Sequence, residues 1–596
     1  MRRNGLGAIL LFALAAPLAA QRETYGVPAD ASCSTGPITT IFIDNHSIFD
    51  VDDPDLDDRF DWAYDIANRL HVQTDRDVIR RELLFGMGEC FDPMLAEESE
   101  RLLRNLPFLS SIDIFGVAQA DGSYHVVVDT RDEWSTRVDV RLRFEDGFGI
   151  QGGEVREENL FGTGRSLAIH YFEHEVTRDY GVTYFTPQLF DTRWDLTAGL
   201  GKTRAGTFFE QRVEFPFVGE VGRWSARQSF QRRDRFFDFI DTSDPDGLVH
   251  VLLPIREKAF DIGVTVRVGP PSNLTILGGA LTYQEFAYPG GFGSIGVTQG
   301  SFDELGTDSA RAAAVWSGLS EIQNIRAVLM LGQRNIWWIQ RRGLDSMRGV
   351  QDIPLGAEIQ LGLGRSLPAL QPEDDFYGTL TFYTGVDVGP VLTATRVRVD
   401  ARRDFDAPAD ASEWENVYAE GELLGYWKPG GSEHHTLFAR AAGVAGWHTR
   451  TPFQLTLGGD VGVRGYEEER FPGARRVTFT LEDRIYFGWP FADVLDLGAT
   501  LFADLGRVFP GDVPFGTDSG WRSSAGLGLR AAFPPGGRTN YRIDFAVPVD
   551  GGVDWGSPRI VISIGDPIGL TAPFSDPQLV RSRTAGVFNN LFAVRR

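Results

Sequence analysis

Residues 458–487, GGDVGVRGYEEERFPGARRVTFTLEDRIYF, carry two signals in one run. A glycine-rich loop presents Val463-Arg464-Gly465-Tyr466, and a strand of near-strict alternation follows it. Val477, Phe479, Leu481, Ile485 and Phe487 share one face, with Asp483 the one exception there, while Thr478, Thr480, Glu482 and Arg484 share the other. An apolar face opposite a well-filled polar face fits a membrane barrel with lipid outside and a wet lumen inside. On this segment alone, a hairpin of a soluble sandwich with a surface arginine remains open.

The rest of the chain decides between the two. Val138, Val140, Leu142 and Phe144 alternate with Arg137, Asp139, Arg141 and Arg143, and similar alternation recurs over 391–401, 495–503, 523–531 and 541–547. Counting by twos points Arg522, Arg530, Arg542 and Asp544 inward and Ala525, Leu527, Leu529, Ile543 and Phe545 toward lipid. Two-faced alternation sustained between Gly, Pro and Asp turns is the barrel signature. After the loop, strands fall at about 476–487, 494–504, 521–531, 540–547 and 558–565, each near the roughly 9–11 residues that span a bilayer. Before it, roughly 11 to 15 more fit. The range depends on 240–350, where Gly269-Pro270-Pro271-Ser272, Gly290-Gly291-Phe292-Gly293 and 317–324 predict long loops. The expectation is an all-β transmembrane barrel of about 16 antiparallel strands over residues 135–570. A tail, 571–596, follows and ends in GVFNNLFAVRR. It is read either as a periplasmic extension or as the site of a later closing strand.

The N-terminus reads as an export signal over residues 1–20: Met1-Arg2-Arg3, an apolar run over 8–16, then Leu18-Ala19-Ala20 before Gln21. No cysteine follows that cleavage site, which argues against a lipid anchor there. No later uncharged apolar run is long enough for a spanning helix. The exported chain is therefore soluble or a closed barrel, the one strand architecture that satisfies its backbone in lipid. A net charge of −24 argues against nucleic acid. With 68 glycines and 43 phenylalanines against 2 cysteines, the composition argues against a disulfide scaffold and for turns and aromatic girdles. Cys33 and Cys90 both precede the strand-rich region and are candidates for one disulfide.

Residues 36–133 are patterned differently. A strand at 39–44 leads into an acidic stretch, 53–69, with some helical periodicity. Helical spacing follows at 76–85 and again at 93–106, behind the N-cap candidate Asp92. Strands at 111–117 and 124–130 flank an Asp121-Gly122 turn. This order of strand, helix, helix, strand, strand resembles a polypeptide-transport-associated (POTRA) domain. The resemblance is carried by TTIFIDNHSIF (39–49), VIRRELLFGMGECFD (78–92), EESERLLRNLPFLSSIDI (97–114) and YHVVVDTRDEW (124–134). The link over 50–74 is longer than usual for such domains. They present a sheet edge to which an extended chain can add a strand.

The barrel resembles the bacterial surface antigen family, the superfamily of BamA, TamA and FhaC. Four patches carry the likeness in family order: Asn159-Leu160-Phe161-Gly162-Thr163-Gly164, Tyr184-Phe185-Thr186-Pro187, Val463-Arg464-Gly465-Tyr466, and Phe502-Ala503-Asp504-Leu505-Gly506. The resemblance implies 16 strands and an Arg-Gly-Tyr loop folded back into the lumen. There Arg464 would bind Asp504 and Glu482, beside Gly465 and Tyr466. The chemistry agrees: a guanidinium offers forked donors to a carboxylate, and glycine permits close backbone approach.

The same resemblance implies a protein that inserts or translocates other proteins at the bacterial outer membrane, with its POTRA-like domain in the periplasm. Its partners would be unfolded outer-membrane or secreted clients, outer-membrane lipid and periplasmic assembly proteins, with no cofactor. A partner-secretion pore and a passive channel are the alternatives. The family commonly stops at its last strand, whereas 26 residues follow Leu570 here.

Enzyme readings fare poorly. His434-His435, and His170 with His174, lack companion ligands at metal spacing. The acidic run over 50–58 lacks the glycine and terminal glutamate of a calcium loop. No nucleophile elbow and no phosphate loop occur.

Overall fold

The computed structural model describes residues 24–28, 33–50, 56–143, 149–174, 176–245, 247–371, 373–407, 412–459, 462–554, 556, 558–565, 568–583 and 594–595. The export signal and part of the acidic run lie outside them.

The N-terminal unit is a three-stranded sheet backed by helices. Strand β1 (Ile38–His46) lies parallel to β3 (Tyr124–Asp132), which pairs antiparallel with β2 (Leu109–Ala118). Between β1 and β2 come α1 (Asp61–Leu70), α2 (Arg76–Glu82) and α3 (Pro93–Arg104). The acidic stretch thus supplies a third helix, α1, which buries Tyr64 and Ala67 beside Ile48 and Phe49. Asp75 and Asp92 cap α2 and α3 by accepting from the amides of Asp77 and Met94, and Pro93 opens α3. The apolar stripe Leu95, Leu102, Leu103 and Leu106 then meets Ile112, Ile114, Val126 and Val128 in one core. Cys33 and Cys90 form a disulfide, with Cα atoms 5.7 Å apart.

The remaining strands form a closed antiparallel barrel of 20 wall strands, not 16. In order they are β4 (Thr136–Arg143), β5 (Gly149–Glu157), β6 (Ser166–His174), β7 (Thr177–Leu189), β8 (Trp194–Thr203), β9 (Gly206–Phe215) and β10 (Trp224–Asp241). Then come β11 (Val249–Val268), β12 (Leu274–Ala287), β13 (Ile322–Arg342), β14 (Val350–Ser366), β15 (Asp375–Val388), β16 (Val391–Asp404), β17 (Trp414–Trp427) and β18 (His435–Trp447). The last are β19 (Arg475–Tyr486), β20 (Asp496–Phe509), β21 (Arg522–Ala532), β22 (Asn540–Pro548) and β23 (Arg559–Ile564). Residues 240–350, the stretch on which the count depended, hold three of these wall strands, β11, β12 and β13. Gly269 and Ser272 take positive φ in a tight turn between β11 and β12, where a long loop was expected. A long connection does follow β12, carrying the short helix Ser309–Trp316.

Side-chain alternation sorts the wall as a barrel requires. Leu481, Leu527, Leu529 and Ile543 are exposed on the outside, while Glu482, Asp504, Arg530, Arg542 and Asp544 are buried within. The outward exception, Asp483, meets His435 of the neighbouring strand at 3.3 Å. Successive wall strands share continuous ladders, down to six residue pairs between β22 and β23. The circuit closes where β23, the shortest wall strand at six residues, meets β4.

The N-terminal unit packs on the barrel end where β5 turns into β6, β7 into β8, β9 into β10 and β21 into β22. Asn159 donates to the Thr74 hydroxyl at 2.8 Å, Arg193 to the Leu83 carbonyl at 3.0 Å, and Arg538 to the Leu106 carbonyl at 2.7 Å. Arg104 grips Asp352 with two hydrogen bonds of 2.9 and 3.1 Å. Phe215, Val218 and Val221 of the barrel complete the unit's own core. Among the described residues no helix is long and apolar enough to cross a membrane.

Candidate functional site: a buried arginine cluster in the lumen

The chain leaves the wall after β18 and re-enters it at β19. Between them, Leu455–Leu457 pairs antiparallel with Phe471–Gly473, so the connection is a hairpin. It turns inward. Leu457, Val463 and Val508 form an apolar cluster with Tyr466 and Phe471 packed against it. Burial of these side chains carries the Arg-Gly-Tyr tip down the inner wall as far as Asp504. That residue lies five positions in from Phe509, roughly 17 Å at about 3.4 Å per residue.

At the tip, Arg464 meets Asp504 fork to fork, Nε to Oδ2 at 2.8 Å and Nη2 to Oδ1 at 2.9 Å. Its Nη1 donates to Glu482 at 3.0 Å and to Asp544 at 2.7 Å. The guanidinium lies 3.5 Å from the ring centroid of Phe502, the aromatic two residues before Asp504. Thr480 donates to Asp504 at 3.0 Å. A carboxylate flanked by this many donors is held in one orientation.

The cluster extends beyond the expected trio. Arg542 donates to Glu482 at 2.7 Å and to Asp544 at 2.8 Å, and Arg484 donates to Glu482 at 2.9 Å. Three guanidiniums thus interleave with three carboxylates, so each buried charge is compensated. Arg484 continues to Asp345 at 3.0 Å, and Asp345 accepts from Tyr426 at 2.7 Å.

The sequence named Arg464, Glu482 and Asp504, and the structure brings them together. It left Arg542 and Asp544 as ordinary inward residues. Parity along β22 gave their direction, but which strand the loop tip faces depends on barrel curvature.

Gly465 is needed for space. A Cβ there would stand 2.7 Å from the Ser524 Cβ and 2.8 Å from the Val547 carbonyl carbon. The neighbours on β21 and β22 are partly backbone and cannot turn aside. Tyr466 packs its ring 5.7 Å from that of Phe471 and anchors the tip to the hairpin. His170 and His434, screened above as metal candidates, meet Asp179 at 3.1 Å and the Tyr486 carbonyl at 3.0 Å.

A stretch of 177 residues is 25% identical to the outer membrane protein assembly factor BamA of Neorickettsia risticii (strain Illinois). The match takes in 27% of the chain and only 22% of that relative's length. Among solved structures, the chain aligns with BamA from Haemophilus ducreyi lacking POTRA domains 1–3. That alignment is 12% identical, covers 88% of this chain and 83% of the other, and has a TM-score of 0.34. It also aligns with CdiB from Escherichia coli at 11% identity, over 89% and 75% of the two chains, with a TM-score of 0.43. No family model matches the chain.

Proposed function

We propose that this protein assembles other proteins into a bacterial outer membrane, or moves them across it, with its POTRA-like unit in the periplasm. The observation that carries the reading is the junction of β23 with β4. A six-residue closing strand gives this junction fewer ladder hydrogen bonds than the longer wall strands give one another, so its backbone donors and acceptors are the ones most readily freed. In lipid such groups are costly unless paired, so an incoming client strand lowers the free energy by adding to the edge. The similarity to an assembly factor supports the same reading. On this account the POTRA-like unit captures an unfolded client and delivers it to the seam. The arginine cluster keeps the adjoining wall, β19 to β22, in shape while the seam opens. No nucleotide and no cofactor enter.

A partner-secretion pore, with the client passing through the lumen, is the neighbouring reading. A passive channel is the reading from a different class.

Purified protein in liposomes separates these. An assembly factor speeds insertion of an unfolded barrel client well above the rate in protein-free liposomes. A protein that conducts ions, leaves the insertion rate unchanged and is indifferent to added client belongs to the channel class.

A further inference from the structure

The chain does not leave the barrel after β23. Residues 568–583, expected as the end of the barrel and the start of a tail that was either a periplasmic extension or the site of a later closing strand, lie inside the lumen, with Leu570, Gln578, Leu579, Ser582 and Arg583 all buried. They have no strand or helix longer than the turn Pro577–Val580. What holds them is the inner wall, and much of the hold is on main chain. Arg484 donates to the carbonyl of Ile568 at 3.2 Å, and Arg396 donates to those of Leu570 and Ala572. The amide of Leu570 donates to the Tyr426 hydroxyl at 2.9 Å, that of Thr571 to Asp345 at 2.9 Å, and that of Asp576 to Glu420 at 2.9 Å.

Further along, Arg235 on β10 donates to the Arg581 carbonyl. Arg583 meanwhile pairs with Asp400 on β16 and Glu420 on β17. The segment therefore reaches across the lumen from one part of the wall to another. Side chains add three fixed points. Asp576 pairs with Arg476, Leu579 enters a cluster with Tyr418, Phe453 and Leu455, and Gln578 exchanges hydrogen bonds with Thr456 of the inward hairpin.

Main-chain carbonyls and amides are common to every polypeptide, so a wall that reads them accepts other sequences. The geometry points to a lumenal binding track for an extended polypeptide segment, formed by β16, β17, β19 and the inward hairpin. Its resident occupant is the chain's own 568–583. The competing occupant is an extended client segment with a carboxylate for Arg476, an apolar side chain for the Leu579 cluster and a cation for Asp400 and Glu420. The track joins the arginine cluster through Arg484 and Asp345, so occupancy and loop position are mechanically linked. The client part of this inference rests on the proposed function, whereas the track and its resident segment do not.

Two experiments test it. In the first, a variant ending at Gly565 is checked for folding by its heat-dependent electrophoretic mobility. It is then titrated with a labelled peptide of residues 568–583. The expected result is saturable binding, weakened at least about tenfold when the peptide carries Arg583→Glu, as loss of a buried charge pair requires. A folded variant that ignores the peptide would overturn the track.

In the second, the full chain carries Thr456→Cys and Gln578→Cys, whose side chains are hydrogen-bonded in the native protein. Both natural cysteines already share a disulfide, so the parent chain under the same reductant is the control. In planar bilayers the oxidised variant is expected to open at least about tenfold less often than the reduced one. Equal opening in both states would contradict displacement of the segment. Neither readout uses client insertion. If insertion fails while peptide binding and redox-dependent opening hold, the assembly reading falls and the track stands.

Discussion

Replacing Arg464 with alanine is expected to cost about 3–5 kcal/mol of barrel stability and most of the function, although the residue performs no chemistry. The effect comes from what is left behind. Asp504, Glu482 and Asp544 each accept from Arg464, and all three are buried. Arg542 and Arg484 still neutralise Glu482 and Asp544 in part, but Asp504 loses its only charged partner among the described residues. Asp504→Ala should do comparable damage, because it leaves the guanidinium with an unmatched fork. The double variant should be clearly less destabilised than the sum, since one interaction is being removed twice. Chemical unfolding in detergent measures the cycle. Full additivity would mean that the two residues are independent lumenal charges. Arg464→Lys should rescue little, because an ammonium cannot meet three carboxylates and stack on Phe502 at once.

Deleting residues 36–133 should reduce client insertion to the rate of protein-free liposomes while ion conductance persists. The unit presents sheet edges outside the barrel wall, since β1 and β2 flank β3 in a three-stranded sheet. The wall ladders do not depend on it. Its removal does uncover Phe215, Val218 and Val221 and strips Asp352 of Arg104, so a modest loss of stability is expected as well. Arg104→Ala separates docking from capture by weakening the contact with the sheet intact. Undiminished insertion by the truncated protein would remove the α+β unit from the mechanism.

How much of this was legible in the sequence varied with the physical signal. Period-2 alternation is a strong signal wherever lipid faces one side and charge the other. It therefore located β19 to β23 to within a few residues and gave the inward direction of Glu482, Asp504, Arg542 and Asp544. It fails as a counter when strands outrun the bilayer. The 20 residues of β11 and 21 of β13 are about twice what a crossing needs, and the turns between such strands look like interruptions. The 16-strand figure came from counting such segments and agreed with the resemblance, and this wall departs from both.

The lumenal segment was illegible for the opposite reason. Residues 568–583 contain Pro573 and Pro577, show no periodicity, and are held in large part through main-chain groups that leave no mark on side-chain choice. The third acceptor of Arg464 was hidden by curvature. A strand pattern says which way Asp544 points, not what stands opposite across the lumen.

The most direct test of the account is to deplete this protein in its host and measure the abundance of every outer-membrane barrel. The account predicts that a defined set of barrel or secreted proteins falls, with their unfolded forms accumulating in the periplasm, before small-solute permeability changes. An unchanged set of outer-membrane and secreted proteins, with only solute permeability altered, would contradict it.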